Sequence, residues 1–200
     1  LSRPLVAGTL AGTIVGYPME GALVGALLEA ISLSILPVGA SRYPETGTAA
    51  VAAAGALGLS GAAATAPALL LALMFGLLAQ RAAGATVRAG RYVNEHLVQA
   101  GRPHDDGHVD ALIEHRHLAS MALDIIRGIL VTAVALAIGV PLIRFAVPHW
   151  GLHSMWAALA VAAAGTAVLA GTAPLFTQAR RDRAFMVAGL VCGCVLLLLR

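Results

Sequence analysis

The chain has 200 residues, 59% hydrophobic and only 12% charged, with a formal net charge of +3. A soluble domain carries about twice that share of charge, so an ordinary water-soluble globular domain is excluded. Every basic residue is an arginine, and these sit beside apolar segments rather than in one basic stripe interleaved with aromatics, so nucleic-acid binding is not expected either.

Several apolar runs approach the roughly 20 residues needed to cross a bilayer. Their Ala/Leu/Val character lacks the dyad alternation of a transmembrane β-barrel. The expected fold is all-α: a polytopic membrane protein with short broken or re-entrant helices and an amphipathic cytoplasmic helical segment. Composition divides it into a Gly-rich membrane region (1–79), a charge-dense segment (80–120) and a second membrane region (121–200). The chain begins at Leu1 rather than Met and ends abruptly at Arg200, which reads as a truncated or excised chain without a signal peptide.

Residues 4–16 form a short apolar segment. Gly8, Gly12 and Gly16 recur every four residues, predicting one small face for close helix packing. Pro18 and Gly21 punctuate a turn. An apolar run from Ala22 to Val38 follows, with Gly21 and Gly25 repeating the spacing and one carboxylate, Glu29, inside it. Two short interrupted apolar segments in tandem fit broken helices at membrane depth or one tight helical hairpin. A carboxylate in such a run is costly in lipid and by default faces protein or a water-filled cavity. It either serves a solute or cation, or is held structurally by an arginine or backbone N–H groups.

The run ends at Pro37 and Gly39, and a polar turn follows with Ser41, Arg42 and Glu45. Arg42 has three roles open to it: solute recognition, pairing with Glu45, or marking a surface. Residues 46–64 are rich in Ala and Gly and insert poorly against lipid, so they belong inside the bundle. Pro67 opens a stronger apolar segment, Ala68 to Ala79.

Residues 80–120 collect most of the charge and read as an amphipathic helical hairpin in the aqueous or interfacial phase, with Asp106 as a candidate cap. His104, Asp105, Asp106, His108, His115 and His117 resemble a metal set, but Asp105-Asp106-Gly107 favours a turn, so no metal site is expected. Residues 121–147 form a spanning segment in which Asp124 and Arg127, three apart, pair on one face. A turn at 148–151 carries Trp150, and 152–176 return, with Trp150 and Trp156 as interfacial anchors. The arginines at 81–91 and Arg180, Arg181 and Arg183 lie two spans apart, hence on one side, which the positive-inside bias makes cytoplasmic. Cys192 and Cys194 read as apolar fillers. No nucleophile elbow, P-loop, His-Glu-x-x-His or Cys-x-x-Cys motif appears, so no catalytic residue and no cofactor are expected.

The ordered run Arg3-Pro4-Leu5-Val6-Ala7-Gly8-Thr9-Leu10, Gly16, Gly21-Ala22-Leu23-Val24-Gly25-Ala26-Leu27-Leu28-Glu29, Leu36-Pro37-Val38-Gly39-Ala40 and Pro44-Glu45 resembles the IIC subunit of the mannose/fructose/sorbose class of the bacterial sugar phosphotransferase system. The resemblance is strongest over residues 3–60. It implies a multi-pass permease subunit of the bacterial cytoplasmic membrane, in an oligomeric complex with a IID subunit, passing a hexose or related sugar to soluble IIA/IIB proteins. In that class the phosphoryl group rides on histidines of the soluble subunits, so none of the seven His here need carry it. It implies that Glu29 and Glu45 line the sugar path, with the Pro37–Ser41 backbone shaping it. Where the class commonly has Gly-Asp, this chain has Gly16-Tyr17. That departure, with the charge-dense 80–120 segment, supports an alternative from another class: a non-transporting membrane scaffold or sensor that docks phosphotransferase proteins.

Overall fold

A computed structural model describes residues 3–34, 45–100, 109–176, 184, 187 and 191. Among them all regular structure is helical: α1 (Pro4–Ile14), α2 (Pro18–Ser34), α3 (Thr46–Leu59), α4 (Ala66–Ala100), α5 (Val109–Ala146) and α6 (Ser154–Phe176).

α1 starts where its sequence allows. Pro4 occupies the first helical position, where a missing N–H costs nothing, behind an extended Arg3. It stops at Gly16, whose φ of +85° suits a residue without Cβ. The Gly16 N–H donates to the Thr13 carbonyl and the Tyr17 N–H to the Gly12 carbonyl, at 3.2 and 2.7 Å. This is the paired Schellman closure of a helix end. Pro18 then restarts the chain as α2, with Gly21 inside the helix. The break therefore falls at Gly16-Tyr17, and the expectation that Gly21 punctuates the turn is corrected.

α1 and α2 form a tight hairpin, one of the two arrangements that the tandem segments allowed. Gly8 and Gly12 on α1 face Gly21 and Gly25 on α2. A Cβ added to Gly12 would lie 2.5 Å from the Tyr17 carbonyl and 2.9 Å from Gly21 Cα; one added to Gly25 would lie 2.5 Å from the Pro4 carbonyl. Only glycine lets the backbones meet so closely. Gly16, expected on this face, is instead the turn residue, with open space around the position of a Cβ.

α3 is the centre of the bundle. Its 14 residues span about 21 Å, less than the ~30 Å hydrocarbon core. Ala50, Ala52, Ala53, Ala56 and Leu57 are fully buried. A helix apolar all round is a buried helix, so the expectation of an interior segment is met. α1, α2, α4 and α5 all pack on it. A Cβ at Gly55 would meet Leu136 of α5, and one at Gly58 would meet Val15 and Tyr17 at the end of α1.

α4 and α5 are long, 35 and 38 residues, and antiparallel. Phe75 lies against Gly139, and Thr86 meets Arg127. α3 runs parallel to α5: Glu45 is beside Arg127, Gly55 beside Leu136, and Ser60 beside Arg144. Both long helices continue through residues 80 and 120, so the compositional boundaries mark a change of surface rather than a break in the backbone. The expected amphipathic segment is, where described, a continuation of the two long helices; Asp106 lies outside the described residues. α5 also continues past Pro141 to Ala146. α6 packs on α2 and α4, with Leu27 beside Gly165.

Two stretches, Ala66–Val93 and His117–Ala146, are long and apolar enough to cross a membrane. Large apolar side chains face outward from α5 and α6, including Ile125, Ile129, Phe145 and Trp156. The well-buried interior is instead made of Ala, Gly and a few large residues, Val24, Leu28, Leu57 and Ile143. This inversion, small inside and large outside, suits a bundle surrounded by lipid, where close helix approach replaces a hydrophobic driving force.

Candidate solute site

Gly21, Gly25 and Glu29 follow one another every four residues along α2, so they share the face turned to α1. That places the Glu29 carboxylate at the start of α1. Glu29 Oε2 accepts the backbone N–H of Leu5 at 3.0 Å, and Oε1 accepts Arg3 Nη1 at 3.1 Å. Leu5 is in the first turn, whose N–H groups have no partner within their own helix. Glu29 thus caps α1 from outside, and its negative charge lies at the positive end of the helix dipole. The Glu29 side chain is 17% exposed while Arg3 is 72% exposed, so the carboxylate is the desolvated member of the pair. These contacts are those of the structural alternative: an arginine and a backbone N–H.

Glu45 stands at the head of α3. Its side chain makes no bond to the first-turn backbone N–H groups. Thr48 Oγ1 donates to Oε2 at 3.1 Å, and Arg127 Nη2 donates to Oε1 at 3.4 Å. Arg127 also gives Nη1 to Thr86 Oγ1 and Nε to Asp124 Oδ1, both at 3.2 Å. One guanidinium therefore joins α3, α4 and α5. Its planar fork of donors explains why arginine suits the position better than lysine. The expected Asp124–Arg127 pair is present. Among the described residues Arg127 is the cation on Glu45; Arg42, which has that pairing among its open roles, lies outside them, as do Pro37, Gly39 and Ser41.

The other end of α3 is held by the same partner helix. Arg144 donates Nη2 to the Leu59 carbonyl at 2.9 Å and Nε to the Ser60 carbonyl at 3.3 Å. A cation on the last carbonyls complements the negative end of the helix. The central helix is pinned by Arg127 through Glu45 at its head and by Arg144 at its tail.

Sequence reasoning singled out Glu29 and Glu45 but not their main partners. Arg127 carried a usable signal, since a charge in an apolar run must find a partner. Arg3 stands out in the sequence only within the family-like stretch, and Thr86 carries no signal. Among the described residues the two carboxylates do not share a cation: Arg3 serves Glu29 and Arg127 serves Glu45. They bracket the connection from α2 to α3 in sequence, each fixed at the edge of an interior built from Ala and Gly. Such an arrangement offers hydrogen-bond acceptors of fixed position beside an apolar interior.

A family model described as the PTS system sorbose-specific IIC component matches residues 1–196. No curated protein matches the chain. PTS IIC components are integral membrane proteins that work on a sugar together with partner PTS proteins, in keeping with the apolar exterior of this bundle. With nearly its whole length matched, the chain belongs to the sorbose-specific IIC family of the phosphotransferase system.

Proposed function

We propose that this chain is the sugar-translocating subunit of a phosphoenolpyruvate-dependent phosphotransferase system. It imports a hexose or related sugar across the bacterial cytoplasmic membrane as a multi-pass protein, in an oligomeric complex with a IID subunit. A soluble IIB partner, charged through IIA, phosphorylates the sugar on the inner side. The observation that carries the reading is a pair of carboxylates, Glu29 and Glu45, each fixed by a cation and a second donor on either side of the α2–α3 connection. A carboxylate has about four acceptor positions, and each of these uses two. The remainder accept hydroxyl donors from a sugar. Pro37, Gly39, Ser41 and Arg42 complete the proposed path between them. Selectivity rests on hydrogen bonding, because a site built to bond hydroxyls rejects analogues that lack them. Alternating access moves one part of the bundle against another.

The rival reading is a non-transporting scaffold that docks phosphotransferase proteins through the polar ends of α4 and α5. It is favoured by the engagement of Glu29 with Arg3 and Leu5, which gives that carboxylate a structural use. Uptake decides between them. Cells carrying this chain with its IID, IIA and IIB partners are given labelled hexoses, sorbose and amino sugars, beside cells lacking only this chain. Transport predicts uptake that requires the chain. No uptake of any sugar, with the complex shown to be in the membrane, favours the scaffold.

A further inference from the structure

One face of α4 stays outside the bundle. Met74, Leu78, Arg81, Ala85, Arg88 and Tyr92 follow one another at alternating steps of four and three, the spacing of a single helix face. All six are exposed, while Ala72 and Ala83 on the opposite side are fully buried. The stripe changes character along its length: apolar at Met74 and Leu78, cationic at Arg81 and Arg88, aromatic at Tyr92. Among the described residues the arginines with a partner are Arg3, Arg91, Arg127 and Arg144. Arg81 and Arg88 form no ion pair or hydrogen bond there.

Their depth follows from α5, which runs antiparallel to α4. Arg127 and Arg144 stand about 25 Å apart along α5. Between them Ile129, Val134 and Ile138 face outward. The two arginines thus mark the edges of an apolar band close to the ~30 Å hydrocarbon core. Thr86 of α4 meets Arg127 and so sits at one edge. Arg81 lies about 7.5 Å inside that edge and Arg88 about 3 Å outside it. Met74 and Leu78 lie deeper, within the stretch long and apolar enough to span. An arginine on a lipid-facing surface at such depth is costly unless it reaches an anion. Its long stem lets the guanidinium extend to the headgroups. Ala85, between the two arginines, leaves the space over the helix open to a bulky group.

We propose that this stripe of α4 binds an anionic phospholipid of the cytoplasmic leaflet, Arg81 and Arg88 pairing with its phosphate while Met74 and Leu78 lie along its acyl chain. The inference rests on the placement of the bundle in the membrane and not on sugar transport. Two cations at the headgroup level match the charge of the lipid, and the apolar residues below them match its tail. A soluble partner protein reaches Arg88 and Tyr92 but not Met74 and Leu78, which lie within the apolar band. Tyr92 stands where aromatic side chains favour the interface.

The test uses the full chain in complex with its IID subunit, purified in a neutral detergent. Native mass spectrometry follows bound lipid during titration with phosphatidylglycerol, cardiolipin and phosphatidylcholine. Wild type is compared with Arg81→Gln, Arg88→Gln, the double variant and Arg91→Gln, which removes the same charge from another face of α4. Wild type is expected to bind the two anionic lipids about tenfold or more tighter than phosphatidylcholine, and each stripe variant to lose about fivefold. Arg91→Gln is expected to keep the preference. Thermal unfolding without lipid is expected to be unchanged in all variants, since neither stripe arginine holds another described residue. The double lysine variant, Arg81→Lys with Arg88→Lys, keeps both charges and is expected to bind between wild type and the double glutamine variant, so the inference is tested even where the latter does not fold. Glycerol phosphate, the headgroup without chains, is expected not to displace the lipid; displacement assigns the arginines to a soluble phosphate and overturns the inference. Equal phosphatidylglycerol binding by wild type and the double glutamine variant overturns it, as does an equal loss in Arg91→Gln and Arg81→Gln. A wild-type complex with no preference for anionic lipid gives the stripe to the IID subunit or another protein and overturns it too.

Discussion

Arg3 and Glu29, 26 positions apart in sequence, meet at 3.1 Å and tie the first turn of α1 to the later turns of α2. The same carboxylate takes the Leu5 N–H. The two bonds differ in weight. Arg3 is mostly solvent-facing, and exposed ion pairs contribute about 0–1 kcal/mol. The N–H of Leu5 is an orphan donor of the helix start, and its loss resembles removal of a helix cap, about 0.5–2 kcal/mol.

The first prediction follows from that asymmetry. Arg3→Ala is expected to lower stability by less than about 1 kcal/mol, and Glu29→Ala by about 1–3 kcal/mol. Thermal unfolding in detergent compares them. A larger effect for Arg3 than for Glu29 contradicts the capping account.

Glycine substitutions separate close packing from mere composition. Gly12→Ala places a methyl 2.5 Å from the Tyr17 carbonyl, with backbone on the far side of the contact. The helices must part, and a cost of about 1–3 kcal/mol or more is expected. At Gly128 nothing lies within 4 Å of an added Cβ. Gly128→Ala is expected to be neutral or to stabilise by up to about 1 kcal/mol through helix propensity. Equal effects at the two sites remove the close-approach reading of the hairpin.

Arg144 supplies the tail of α3 with two donors, one to each of two adjacent carbonyls. Arg144→Met keeps the apolar stem and removes both. A loss of about 1.5–3 kcal/mol is expected, the range for hydrogen bonds to a charged group. Arg144→Lys keeps the charge without the fork and is expected to fall between. Chemical denaturation of the three proteins gives the order, and a lysine variant no better than methionine argues against dipole complementarity.

At the head of α3 the expected signature is coupling. Glu45→Gln and Arg127→Gln each leave a charge short of its partner in a half-buried setting, with side chains 29% and 19% exposed. The double variant leaves neither. A double-mutant cycle is therefore expected to give an interaction of about 0.5–3 kcal/mol. Additive losses would show that Asp124 and Thr86 satisfy Arg127 without Glu45.

What was legible in the sequence was local. The four-residue glycine spacing announced the α1–α2 contact, the weak hydrophobicity of 46–64 announced a buried α3, and Asp124 and Arg127 are three apart on one helix. What was not legible was long-range. Glu45 and Arg127 are separated by 82 positions and Leu59 and Arg144 by 85, and helical periodicity says which face a residue occupies but not which helix meets it. Gly16 shows the limit within one element. Its spacing matched Gly8 and Gly12, yet the helix had already reached its stop signal, and the αL conformation took precedence over the packing face. At residue 80 the sequence offers only a change of charge, while α4 runs on through it. A helix that leaves an apolar interior for a polar phase changes surface without changing backbone.

The central claim is that the two carboxylates flanking the α2–α3 connection belong to a sugar path. The most direct measurement is sugar uptake by cells carrying the complete system with wild type, Glu29→Gln or Glu45→Gln, each normalised to the amount of complex in the membrane. The account predicts uptake in wild type and a loss of about tenfold or more in each variant, at equal membrane levels. Wild-type uptake that both glutamine variants match would contradict it and leave Glu29 and Glu45 as structural ties alone.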